Sequence, residues 1–221
     1  MPRKAALFGA TGLIGSFLVH ELLNSGEWET VVVITRRTIE NSDSRIIEII
    51  TDLSHPPDAT EFRGIQDLFI CLGTTIGKAG SQDAFSAVDL RLPTAIVMAA
   101  TKAGVQNCAV VSSLGADSQS RNFYLKTKGL MEVNMEKAGF RHLYIFRPSM
   151  LLGPRRESRP AESAGKIFMQ LTSFLFAGPL AKYRAIQASS VAKAMRMVMQ
   201  TLPASAVFES DKIASISKKA L

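Results

Sequence analysis

A glycine-spaced turn close to the start of the chain, Gly9-Ala10-Thr11-Gly12-Leu13-Ile14-Gly15, constrains the fold more than any other feature. It follows the apolar run Ala5–Phe8 and opens an apolar-rich stretch that extends to Leu23. Strand, glycine turn and helix in that order make the first unit of a dinucleotide-binding fold. Each glycine has its own task. Gly9 allows the tight turn, Gly12 lets a pyrophosphate approach the backbone, and Gly15 lets the helix pack closely on the strand. The pyrophosphate is expected on the free N–H groups of the helix N-terminus, with Thr11, Leu13 and Ile14 beside it. The spacing is GxxGxxG, not the GxGxxG of two-domain dehydrogenases, so its weight comes from its position after a first strand.

The rest of the chain alternates in the same rhythm. Strand candidates are 4–8, 30–35, 45–50, 67–72, 108–112, 142–146 and 205–208, most of them continuous apolar or β-branched runs. Such runs suit a parallel sheet buried on both faces. Helix candidates are 13–23, 83–103, 122–138, 163–176 and 188–201, with a short one near 211–217. The first stops at Asn24-Ser25-Gly26, a natural helix end. The expected fold class is α/β, a doubly wound parallel sheet of the Rossmann-like kind. At 221 residues with 47% hydrophobic content, the chain fits one domain, 1–221, with 147–186 as a small substrate-side segment.

Ligands of such sheets bind beyond the carboxyl ends of the strands, so those residues identify the candidate site. After the second strand come Thr35, Arg36 and Arg37. A carboxylate there would hold the ribose hydroxyls of NAD and repel a 2′-phosphate, whereas guanidinium groups bind phosphate in charge-assisted pairs. The expected cofactor is therefore NADP, with NADPH preferred over NADH. After the third strand, Asp52 can meet the adenine amino group while Leu53 packs on the ring; a turn or helix cap is the alternative role for Asp52. After the fourth, Leu72, Gly73, Thr74 and Thr75 form a glycine-relieved loop expected beside ribose and pyrophosphate. After the fifth stand Ser112 and Ser113, with Tyr124 eleven residues beyond Ser113 and Lys128 four further on. A helix places i and i+4 on one face, and a nearby cation favours a phenolate, bringing Tyr124 toward neutral-pH proton transfer. Beyond the sixth strand, Arg147, Pro148 and Met150 are expected on the substrate side of the nicotinamide.

These residues bring a family into view. Gly9–Gly15, Ser113 with Tyr124-x-x-x-Lys128, and the parallel α/β pattern resemble the short-chain dehydrogenase/reductase superfamily. CLGTTIGKAGS (71–81), SSLGAD (112–117), NFYLKTKG (122–129) and FRPSMLLGPRRESRP (146–160) resemble its atypical branch, which contains the Tat-interactive oxidoreductase and its bacterial relatives. The resemblance covers nearly the whole chain and weakens after about residue 165. It implies Tyr124 as general acid/base, Lys128 as ribose ligand and activator of Tyr124, and Ser113 as holder of the substrate oxygen, with Ser112 as the alternate. It also implies two classes of function. One is an NADPH-dependent oxidoreductase of a small carbonyl or alcohol; the other is a non-catalytic NADPH-binding redox sensor or regulatory protein acting through a protein partner.

Composition narrows the partners. The net charge is +7, yet the basic residues form no long block with interleaved aromatics, which favours a phosphorylated ligand over nucleic acid. His20, His55 and His142 are far apart and Cys71 and Cys108 sit singly in apolar runs, so no metal site or disulfide framework is expected. Arg155, Arg156 and Arg159 accompany Glu157 and Glu162, as an anion-binding group or a structural ion-pair cluster. The apolar positions of 163–176 suit a core helix, with a substrate lid, a homodimer face or a membrane-surface helix as sharper alternatives. No continuous apolar run reaches spanning length, and membrane association is not expected. Arg3 and Lys4 before an apolar stretch resemble a leader, but cleavage there would remove the first strand. A cytoplasmic location is the resulting expectation.

Overall fold

The computed structural model describes residues 3–53, 57–154, 178–204 and 206–219. Along the chain these form β1 (Arg3–Phe8), α1 (Leu13–Ser25), β2 (Trp28–Thr35), β3 (Ile46–Ile50) and β4 (Asp67–Ile70). There follow α2 (Ile76–Ala79), α3 (Gln82–Lys102), β5 (Asn107–Val111), α4 (Phe123–Lys137) and β6 (His142–Arg147). The last elements are β7 (Leu151–Leu152), β8 (Ile186–Gln187), α5 (Ala188–Thr201), β9 (Ala206–Glu209) and α6 (Ser210–Ser217).

Seven strands form one sheet in the order β3-β2-β1-β4-β5-β6-β9, with every neighbouring pair parallel. The fold is a Rossmann-like single domain, as the alternation predicts. Continuous apolar strands arise because the sheet is covered on both sides. In β1, Leu7 joins Leu18, Leu22, Val191 and Met195 on the α1/α5 face, while Phe8 joins Ile96, Val97 and Met131 on the α3/α4 face. Both are fully buried, and burying a side chain of that size contributes about 1.5–3 kcal/mol before chain entropy is charged against it.

The chain winds from β1 outward to β3 and then returns to place β4 on the other side of β1. The loops after β1 and β4 therefore diverge over a crevice at the topological switch point, where open α/β sheets hold ligands. Beyond β6, the small parallel pair β7–β8 was not legible from the sequence. Ser149 pins this region further. Its N–H donates to Ser210 Oγ at 2.7 Å and its hydroxyl donates to the Arg184 carbonyl.

Two expectations change. Strand 67–72 ends at Ile70, because Cys71 onward peels away as the crevice loop. Helix α3, at 21 residues, is long and apolar enough by composition alone to cross a membrane, contrary to the reading of apolar runs. It is nonetheless interrupted by Asp83, Asp89 and Arg91, and its Ile96, Val97 and Ala100 are fully buried in the domain core. Arg155, Arg156, Glu157, Arg159, Glu162 and the expected helix 163–176 lie outside the described residues, as does His55.

Candidate dinucleotide and catalytic site

The glycine turn is built as the spacing predicts. Gly9 has φ +85°, and a Cβ on it would stand 2.5 Å from the Cys71 carbonyl oxygen. A Cβ on Gly15 would stand 2.1 Å from the Gly9 oxygen, closer than any side chain tolerates. Gly12 donates its N–H to the Gly9 carbonyl at 2.9 Å and caps α1 without a side chain. The first turn of α1, opened by Leu13, Ile14 and Gly15, carries no acid. Its N–H groups lack intrahelical partners, so the positive end of the helix is left for an anion. Thr11 is exposed on the turn and Leu13 half-buried. Leu13 is covered by the backbone just after β7, since a Cβ on Gly153 would lie 3.0 Å from its Cδ1.

Arg36 and Arg37 are exposed just past β2, and neither guanidinium has an ion-pair partner among the described residues. Thr35 shapes their turn, its hydroxyl donating to the Arg37 carbonyl at 3.0 Å. Asp52 and Leu53 follow β3, and Leu53 sits at φ +59°, a strained conformation for a branched side chain. Leu72 packs on the α3/α4 core, and Gly73 is exposed beside the crevice. Thr74 donates its N–H to Asp89 Oδ2 at 2.9 Å, and Thr75 caps α2 by accepting from the Lys78 N–H.

Tyr124 and Lys128 lie one turn apart on α4, which Asn122 caps through the Leu125 N–H at 3.1 Å. The Tyr124 ring is half-buried and tilted against Phe85, centroids 5.6 Å apart. Lys128 is buried, its Nζ 2.7 Å from Asp89 Oδ1. Ser113 donates to the Leu114 carbonyl at 3.4 Å, a long bond that a better acceptor would replace. Ser112 Oγ is buried with no partner among the described residues. Burial pushes the Cys71 thiol up to about 12, so this residue stays a protonated neighbour of the glycine turn at neutral pH.

Beyond β6 the side chains are arranged differently from a simple substrate wall. Arg147 forms a forked pair with Glu132 of α4, its Nε 2.9 Å from Oε1, and this pair raises its already high pKa. Pro148 is buried with its carbonyl accepting from the Leu114 N–H, while Met150 is exposed. Sequence reasoning missed Asp89 and Glu132, the buried acids that hold Lys128 and Arg147. Their one signal is an acid in a mostly apolar stretch of helix, which is also what an ordinary solvated position looks like.

A sheet of this order with a glycine turn at its switch point is the fold of NAD(P)-binding oxidoreductases. Solved structures agree on the fold. MoeE5 in complex with UDP-glucose and NAD is similar at TM-score 0.69 and 19% identity, over 97% of this chain and 80% of that one. A dTDP-glucose 4,6-dehydratase, the DesIV double mutant from Streptomyces venezuelae with NAD bound, gives TM-score 0.69 and 18% identity over 92% and 74%.

Residues 9–169 match the family described as NAD(P)H-binding, and the chain belongs to it. Among curated relatives, "Protein FMP52, mitochondrial" of Debaryomyces hansenii is 34% identical over 158 residues, 71% of this chain and 70% of that protein. Protein HTATIP2 of Rattus norvegicus is 34% identical over 170 residues, 75% and 70% of the two chains, in line with the resemblance read from the motifs. The same comparison corrects the cytoplasmic expectation. Fungal relatives from Debaryomyces hansenii and Candida albicans are named as mitochondrial, against the cytoplasmic expectation. Protonated thiols and a moderate positive charge describe a chemical environment and carry no address, which is why composition misled here.

Proposed function

We propose that the protein is an NADPH-dependent oxidoreductase of a small carbonyl or alcohol, with Ser113, Tyr124 and Lys128 as its catalytic set. The observation that carries this is the convergence at the switch point. The glycine turn Gly9–Gly15 leaves a helix N-terminus without a side-chain cap, and the Gly73–Thr74 backbone is held by the same Asp89 that pairs with Lys128. Those residues fit a dinucleotide. Gly12, Leu13, Ile14 and Gly15 offer backbone to a pyrophosphate, with Thr11 beside them; Asp52 and Leu53 face the adenine, and Leu72, Gly73, Thr74 and Thr75 the ribose. Arg36 and Arg37, exposed and without an ion-pair partner among the described residues, suit a 2′-phosphate. When bound, NADPH supplies a hydride to the carbonyl carbon. Tyr124 then gives its phenolic proton to the oxygen, and Ser113 holds that oxygen by hydrogen bonding as charge develops on it. The substrate side of this reading is the segment 147–186, in whose described residues Met150, Leu180 and Tyr183 are exposed and apolar or aromatic.

Fluorescence titration of the purified protein with NADPH and, separately, NADH tests the cofactor reading. Binding at least tenfold tighter for NADPH supports it, and binding of neither overturns it. Tyr124→Phe tests the chemistry: turnover of a carbonyl substrate falls by about 10²–10⁴-fold with NADPH binding unchanged. Unchanged turnover removes Tyr124 as the acid/base.

One observation favours a second reading, a non-catalytic NADPH sensor acting through a protein partner. Of the three residues expected on the substrate side, Arg147 is engaged by Glu132 and Pro148 is buried, so neither is free to orient a substrate. Tight NADPH binding without turnover on a broad carbonyl panel, and a partner or second copy whose affinity changes with cofactor, would select that reading.

A further inference from the structure

Asp89 is the deeply buried acid at the carboxyl end of the sheet to which the chemistry above gives no role. It is 1% exposed and stands within Ala87–Arg91, a π-helical turn inside α3. Such turns are rare, and they are found mostly where a side chain must serve a functional site. Its two oxygens reach different elements. Oδ2 accepts the Thr74 N–H of the β4 loop at 2.9 Å, and Oδ1 lies 2.7 Å from Lys128 Nζ on α4. Gly73 rests on the pair: a Cβ there would lie 3.5 Å from Asp89 Oδ1 and 3.9 Å from Lys128 Nζ. One carboxylate therefore joins α3, the crevice loop and the lysine.

Stability is a poor account of this arrangement. Replacing a buried ion pair by apolar side chains of similar volume is often neutral or stabilising, because both charges lose their hydration. Geometry is the better account. Resting on the reading of Lys128 and residues 72–75 as dinucleotide-binding, we propose that Asp89 is the positioning residue of this site. It sets the depth and direction of the Lys128 ammonium and locks the Gly73–Thr74 backbone to it. Lysine and loop then meet the nicotinamide ribose as one unit, and the lysine acts as half of a neutral pair.

Two substitutions separate the two bonds. Asp89→Asn keeps an oxygen for the Thr74 N–H and removes the charge that holds Lys128; Asp89→Leu removes both. With the full chain and NADPH as probe, Asp89→Asn is expected to weaken binding at least tenfold, about 1.4 kcal/mol. That loss should vanish in a Lys128→Met background, since a residue acting through Lys128 has nothing left to position. A purely structural residue would give additive losses instead. Binding equal to wild type in Asp89→Asn, or additive losses in the double variant, overturns the proposal.

Hydrogen exchange at the Thr74 amide gives a readout independent of cofactor. It should accelerate at least tenfold in Asp89→Leu/Lys128→Met, which leaves no buried charge unpaired and so folds even where a single variant does not. Unchanged exchange in that double variant also overturns the proposal. If the wild-type chain binds no nicotinamide dinucleotide, the proposed function fails and this proposal with it, whereas tight wild-type binding that Asp89→Asn leaves unchanged overturns this proposal alone.

Discussion

Two aspartates are buried at opposite ends of the same sheet and differ in how they are satisfied. At the amino end, Asp67 is fully buried and surrounded by donors. Arg3 and Asn107 donate to Oδ1, the latter at 2.8 Å, and Trp28 Nε1 donates to Oδ2 at 2.7 Å. Arg3 also donates to the Met199 carbonyl at 2.9 Å and lies 5.3 Å over the Trp28 ring. This is a closed polar cluster that ties β1, β2, β4 and β5 together. At the carboxyl end, Asp89 has fewer partners, sits in an irregular helical turn and borders backbone that glycine leaves bare. The two ends show a division of labour common in α/β sheets. Fully satisfied networks hold the strands at one end, and at the other, irregular backbone and incompletely satisfied charge are kept for a ligand.

The sharpest test of that division is Asp67→Ala. It leaves a guanidinium, an indole N–H and an amide without their acceptor, and should cost about 3–5 kcal/mol in urea unfolding. NADPH affinity of the folded fraction should stay within twofold of wild type. A large loss of affinity would break the comparison, because the amino end would then be coupled to the site.

Gly15→Ala should cost about 1–3 kcal/mol, since its methyl would stand 2.1 Å from the Gly9 oxygen and push α1 off β1. Here affinity should fall together with stability, because the displaced helix carries the N–H groups proposed to bind the pyrophosphate. Affinity unchanged in that variant would separate the glycine turn from the ligand.

Arg36→Ala with Arg37→Ala should reduce NADPH affinity about tenfold, leave NADH affinity unchanged, and shift stability by no more than about 0.5 kcal/mol. Equal losses for both nucleotides would mean that the arginines do not read a 2′-phosphate.

The smallest expected effect belongs to Tyr144, whose hydroxyl donates to the Pro203 carbonyl at 2.6 Å. Burial, together with the Asp67 charge and against the opposing effect of Arg3, pushes this phenol from 10.0 up to about 12. The unfolded chain loses the proton first, so wild-type stability should decline as pH rises from 10 through 12. Tyr144→Phe should lack that decline and lose about 1 kcal/mol at neutral pH. A parallel decline in both proteins would assign the alkaline loss to other groups.

Most of the architecture could be read in advance for one reason. A strand buried on both faces must be apolar throughout, so 4–8, 30–35 and 108–112 announce themselves without knowledge of their neighbours. The glycine turn is legible for a similar reason, since Gly9 and Gly15 are demanded by backbone contacts a few residues away. The buried acids are not legible. Asp67 meets Trp28 and Asn107 across 39 and 40 positions, and Asp89 meets Lys128 from another helix. Nothing within a local window distinguishes such an acid from one that caps a turn in water. Arg147 shows the same effect, being expected to face a substrate and found paired with Glu132.

By itself, then, the sequence determined the seven strands of the main sheet and the long described helices between them, the glycine turn, and the i, i+4 placement of Tyr124 and Lys128, because these depend on periodicity and on contacts within a few residues. The tertiary structure decided which charges are buried and with whom: Asp67 with Arg3 and Trp28, Asp89 with Lys128 and Thr74, Glu132 with Arg147. Desolvating a charge is so costly that it is tolerated where a partner arrives from elsewhere in the chain, and the winding of the sheet sets that arrival.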